Sequence, residues 1–198
     1  MDKKTMNEQT NLAFEFMNKL NQETSYLIKE IEGTLKKENE EFVIGKVIGY
    51  AINAPNSLSL DTPEYWLANK LGVFFVPKRD ETKGKGSTET PLKKDLKIIF
   101  LMIVLHDNNF HNPTIVIGTL YDIVSTSEKK KKFEDLVNEL IDDQENVFKT
   151  NPEIIDYKED KWANLKGKFI VKDLFDIKNA DDVQKLIKQV LESYRNLK

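Results

Sequence analysis

Eight consecutive apolar residues, Ile98 to Leu105, sit in a chain in which almost a third of the side chains are charged. A run with no polar residue at either alternate position buries both faces when extended, and its β-branched and aromatic content favours a strand. It is far too short for the ~20 residues that cross a bilayer as a helix. The strand Leu96 to Leu105 is therefore expected at the centre of a sheet, and any fold for this chain has to enclose it.

The neighbouring segments fit around that strand. Thr114 to Val124 is a second strand. The polar stretch His106-Asp107-Asn108-Asn109-Phe110-His111-Asn112-Pro113 between them predicts an antiparallel hairpin. Upstream, Val73-Phe74-Phe75-Val76 reads as a short buried strand closed by Pro77. Glu41 to Ile52 alternates as a strand, with Gly45 and Gly49 on its small-residue face. Two glycines inside a strand call for a reason, either close helix packing or a ligand platform against the backbone. Lys168 to Ile177 is the last expected strand.

Helical spacing frames these strands. Ala13, Met17, Leu20, Thr24, Leu27 and Ile31 recur at steps of four and three, which predicts a long helix from about Asn11 to Leu35. Packing on its own sheet is the expected use of that stripe, and a second subunit is the alternative. Asp61 or Thr62, Pro63 and Gly72 mark the start and stop of a compact helix. Ser125 to Glu128 has capping-box spacing ahead of Phe133, Leu136, Val137, Leu140 and Ile141. Asn179, followed by Asp181 and Asp182, opens a final helix whose buried face is Val183, Leu186, Ile187, Val190, Leu191 and Tyr194. The expected fold is one α+β domain over residues 1–198, in the order α-β-α-β-β-β-α-β-α, with an antiparallel or mixed sheet of about five strands. Residues 1–9 read as a loose polar tail. Lys78 to Pro91, with no large apolar side chain, reads as a mobile loop.

Composition narrows the function classes. With 30 basic against 33 acidic residues there is no positive field to neutralise a phosphate backbone, so nucleic-acid binding is not expected. Arg79 and Arg195 are the only arginines, leaving little for bidentate phosphate or carboxylate recognition. Zero cysteines exclude disulfides, thiol nucleophiles and zinc–thiolate sites. The polar residues Met1 to Glu8 carry no signal-peptide pattern. A soluble, cytoplasmic protein without a membrane role is the expectation.

Few residues offer chemistry. His106 and His111 share one turn and, with Asp107, are the candidate metal ligands, although a polar hairpin tip is the favoured reading. Gly84-Lys85-Gly86-Ser87-Thr88 lacks both the spacing and the following helix of a phosphate loop. Lys129 to Lys132 is read as a solvated face among nearby acids. Tyr65 and Trp66 are adjacent on a short expected helix, so their side chains diverge by about 100° and one of them is left for a groove or partner surface. With Gly45 and Gly49 they form the candidate binding set.

The helix, three strands, helix and strand in this order resemble the core of restriction-endonuclease-like enzymes, and Asp95-Leu96-Lys97 resembles their acid-x-Lys element. That resemblance implies a Mg²⁺-dependent hydrolase of nucleic acid using Asp80, Asp95 and Lys97, assisted by Glu15 or Glu23. It departs in using Asp where Glu is commoner and in placing an extra helix between the first two strands. With no complete catalytic constellation and no cofactor fingerprint, the favoured expectation is a non-enzymatic binding or regulatory module. It would act through protein contacts or self-association, with the metal-dependent hydrolase as the alternative.

Overall fold

The computed structural model describes residues 2–38, 42–44, 48–50, 70–78, 95–106, 110–125, 153–158 and 163–197. Helix α1 spans Lys3–Lys37. Seven strands follow: β1 Phe42–Ile44, β2 Ile48–Tyr50, β3 Lys70–Pro77, β4 Ile98–Val104, β5 Thr114–Ser125, β6 Ile154–Lys158 and β7 Ala163–Asp173. A 3₁₀ turn, Leu174–Asp176, leads into helix α2, Ala180–Asn196. The described strands form one sheet in the order β1-β3-β4-β5-β7-β6, with β2 also paired to β3. Every pairing is antiparallel. The fold is α+β.

The apolar run behaves as its composition demands. All of β4 is buried between β3 and β5, and its side chains divide strictly between two cores. Ile99, Leu101 and Ile103 join Val73, Phe75, Ile115 and Ile117 on one face, beneath Ile28, Ile31 and Leu35 of α1 and the apolar side of α2. Ile98, Phe100, Met102 and Val104 join Phe74, Val76, Val116, Leu120 and Phe169 on the other. In the middle of the second core, Gly118 lies in register between Phe100 and Phe169. The two rings meet edge to face across it, with centroids 6.2 Å apart. A Cβ at Gly118 would sit against the backbone of Lys168 and Phe169, so only glycine lets β5 and β7 approach there.

The structure redraws several expected boundaries. Residues 3–9 are helix rather than tail, because the Asp2 carboxylate accepts a hydrogen bond from the Thr5 N–H and caps the first turn. Gly72 does not stop a helix. It lies inside β3, paired with Met102 on one side and Ile48 on the other. Residues 61–69, where the rest of that expected helix falls, lie outside the described residues. The strand expected from Lys168 to Ile177 starts earlier and ends at Asp173, whose carboxylate accepts from the Phe175 N–H and turns the chain into the 3₁₀ segment. Strand β6 is an addition at the sheet edge. Its one core side chain among the described ones is Ile155, too little to signal a strand against Asp156 and Lys158. The expected strand Glu41 to Ile52 is present as two short pieces, β1 and β2, on opposite ends of β3. Ser125 ends β5, opposite Ala163, and the helix expected beyond it lies outside the described residues.

Among the described residues no helix is long and apolar enough to cross a membrane.

Candidate functional site

Helix α1 carries one apolar stripe but uses only its C-terminal part for the core. Thr24, Ile28, Ile31, Thr34 and Leu35 are buried against α2 and the sheet. Among the described residues nothing before Thr24 is buried, so about twenty residues, close to 30 Å of helix at 1.5 Å each, extend beyond the part of α1 that packs in the core. The stripe does not stop where burial stops. At 100° per residue, Met6, Ala13, Met17 and Leu20 continue the line of Thr24 and Ile31, and Phe14 and Phe16 stand on either side of it. Phe14 is 68% exposed, Phe16 61% and Met6 51%. Isolated apolar side chains on a surface are ordinary, whereas here Met6, Phe14 and Phe16 lie along and beside one stripe.

At the base of the projection, α1 meets the 3₁₀ turn and the start of α2. A groove of about 620 Å³ opens there, floored by Phe16, Leu20, Leu27, Phe175, Ile177 and Val183. Its walls are mainly apolar, with Lys19, Glu23, Glu30 and Lys178 at the rim. The geometry is firmly held. The Leu174 N–H donates to the Pro113 carbonyl at 2.8 Å, and the Asn179 side chain caps α2 by accepting from the Asp182 N–H at 3.1 Å. Projection and groove form one continuous surface, because Phe16 and Leu20 belong to both.

The residues singled out by sequence lie elsewhere. Lys97 is half-buried, and its Nζ donates to the Leu197 carbonyl while sitting 5.7 Å from the Tyr194 ring centroid. It therefore holds the C-terminal end of α2 on the sheet, where the unpaired helix carbonyls want a cation. Asp95 is exposed in the turn before β4, and Asp80 lies outside the described residues. Glu15 is exposed on the projection, and Glu23 stands at the groove rim. His106 and His111 are both exposed at the β4–β5 hairpin, and Asp107 lies outside the described residues. Among the described residues, no group of three or more His, Asp or Glu side chains is placed to hold a metal ion. Gly49 pairs with Leu71 in β2, while Gly45, Tyr65 and Trp66 lie outside the described residues.

One ionic cluster was not anticipated. The Lys166 Nζ on β7 donates to Asp122 Oδ2 at 2.8 Å, with Asp156 directly across the β6–β7 ladder. Asp122 sits at a bulge in β5 with φ of 52°, a left-handed conformation that Asp tolerates better than most residues. The hydrogen bond to Asp122, followed by its charge, raises the Lys166 pKa. Both side chains are solvent-exposed, so the pair pins the bulge rather than building a pocket.

No protein-family model, curated protein or solved structure matches the chain.

Proposed function

We propose that this chain is a non-enzymatic, cytoplasmic binding or regulatory module whose working surface is the projecting part of α1 together with the groove at its base. The observation that carries the reading is the exposure of Phe14 and Phe16 on a helix whose same stripe is core twelve residues later. Leaving two phenylalanines in water forgoes roughly 1.5–3 kcal/mol apiece relative to burial, a cost that a partner recovers. A helix of this length without tertiary support is also marginal in water. Both the apolar face and the helix that carries it are completed by the same contact.

The test uses the chain in extracts of the cells that make it. Native size-exclusion chromatography places the wild type well above its 23.0 kDa. The double variant Phe14→Lys/Phe16→Lys elutes as a lone chain and still unfolds cooperatively. Elution of the wild type as a lone chain in the same extract contradicts the reading.

A further inference from the structure

We infer that the partner for this surface is a second copy of the chain, paired antiparallel through residues 3–23 of α1 about a two-fold axis near Ala13; the inference rests on the binding role proposed above. Three observations lead to it.

The first is steric. The stripe points toward the side on which the body lies, because its continuation, Thr24 to Leu35, packs on the sheet and α2. A copy lying parallel and in register on the projection brings its own body to the same place, and the two collide. An antiparallel copy advances its Lys3 end toward the first body and carries its own body away beyond the first Lys3. The overlap is then set by the fold itself. It runs from Lys3 to Glu23 in both copies, and its midpoint is Ala13, a small residue that lets the two helices approach closely.

The second is chemical. Within the overlap the charged residues are Lys3, Lys4, Glu8, Glu15, Lys19 and Glu23; helical spacing puts Lys4, Glu8, Glu15 and Lys19 on the side away from the stripe and Lys3 and Glu23 at its flanks. Pairing the two stripes therefore leaves no charge at the centre of the contact, and the same surface meets itself, as a two-fold contact requires. A lipid-surface helix would instead set Lys and Arg on its polar side. Here that side holds Glu8 and Glu15 against Lys4 and Lys19.

The third is size. Phe14 and Phe16, 68% and 61% exposed, have roughly 500 Å² left to bury over the two copies. Met6, Met17 and Leu20 from both copies bring this to about 1,000 Å², and the exposed Gln9, Thr10 and Ala13 on the same side add enough to reach the ~1,200 Å² at which specific interfaces begin. Met6 of one copy arrives level with Leu20 of the other, at the mouth of the 620 Å³ groove. A flexible thioether chain is suited to fill it.

The absence of cysteine makes the test clean. Light scattering on the purified chain at ~100 µM is expected to give about 46 kDa, twice 23.0 kDa, and to fall to one chain for Phe14→Lys/Phe16→Lys. Spin labels on Lys4→Cys should then report copies about 27 Å apart along the helix axis, against about 6 Å for Asn11→Cys, from nine and two residues either side of Ala13. Ala13→Cys should form a covalent dimer under mild oxidation, an outcome that does not depend on the lysine variant. A monomer at all concentrations overturns the inference, as do equal separations at the two label sites. So does flotation with phosphatidylserine vesicles by a chain that never dimerises. If the purified chain is monomeric while the complex in cell extracts persists and is lost on Phe14→Lys/Phe16→Lys, self-pairing falls and the binding role stands. If the extract complex is absent as well, both fall.

Discussion

Helix α2 and the first twenty residues of α1 are built on the same sequence pattern and meet opposite fates. In α2 every apolar side chain of the stripe, from Val183 to Tyr194, is buried. In the projection the corresponding positions, Met6 to Leu20, are exposed or half-exposed. The difference lies in what each helix has beneath it. Asn179 starts α2 over the sheet, and Lys97 holds its far end there through the Leu197 carbonyl. The sheet lies under α1 only from about Thr24 onward. Amphipathic spacing states that a face will be covered. It does not state by what.

The contrast breaks first where the effects are largest. Ile187→Ala removes a fully buried side chain from α2 and is expected to cost about 2–4 kcal/mol in urea denaturation. Phe14→Ala, a larger truncation, should change stability by less than about 0.5 kcal/mol when both chains are measured at a concentration at which light scattering shows a single chain. Comparable losses from the two would show that the projection packs on its own body. Next comes Lys97→Met, which gives up the Leu197 carbonyl and the Tyr194 ring for about 1–2 kcal/mol. Its signature is faster amide exchange in the last turn of α2, with no change in α1.

Smaller effects sharpen the same contrast. The Thr119 hydroxyl is fully buried under the helical layer with no hydrogen-bond partner among the described residues. Thr119→Val should therefore be neutral or raise stability by up to about 1 kcal/mol, and a clear loss in thermal denaturation would reveal a hidden partner. The smallest effects are those of pH at the exposed ends. The hydrogen bond from the Thr5 N–H holds the Asp2 carboxyl below its ordinary value. That contribution is present above the unfolded pKa and fades as pH falls through the folded one, so amides near Thr5 should open in acid while those of α2 do not. Lys166 has the opposite sign. Its raised pKa makes the Asp122 contact complete below the ordinary lysine value and lost only as strongly alkaline pH passes the folded one.

Much of the architecture was legible in the chain. The apolar run over β4, the polar turn before β5 and the Asn179 cap with two acids behind it are local signals, and each element they imply is present. Strand β6 was not legible, because a five-residue edge strand with one described core side chain carries almost no periodicity. Nor was the role of Gly72: glycine before an apolar run serves equally as a helix stop or as a strand residue beside Met102, and only the register decides. The site was half legible. The α1 stripe was evident from spacing, but the point at which it leaves the body depends on how far the sheet extends, which is a tertiary quantity. The groove was missed entirely, since it is made by Leu20 and Leu27 meeting Phe175 and Ile177 across about 150 positions of sequence. Lys97 misled for the opposite reason: an acid-x-Lys triplet is short, and this lysine is turned to a helix end.

Hydrogen exchange across α1, followed as a function of concentration in the purified chain, tests the self-pairing surface most directly. Amides of residues 6–20 should gain protection as concentration rises and lose it in Phe14→Lys/Phe16→Lys, while those of α2 stay protected throughout. Rapid exchange of residues 6–20 at every concentration, or protection that survives the double substitution, would contradict it.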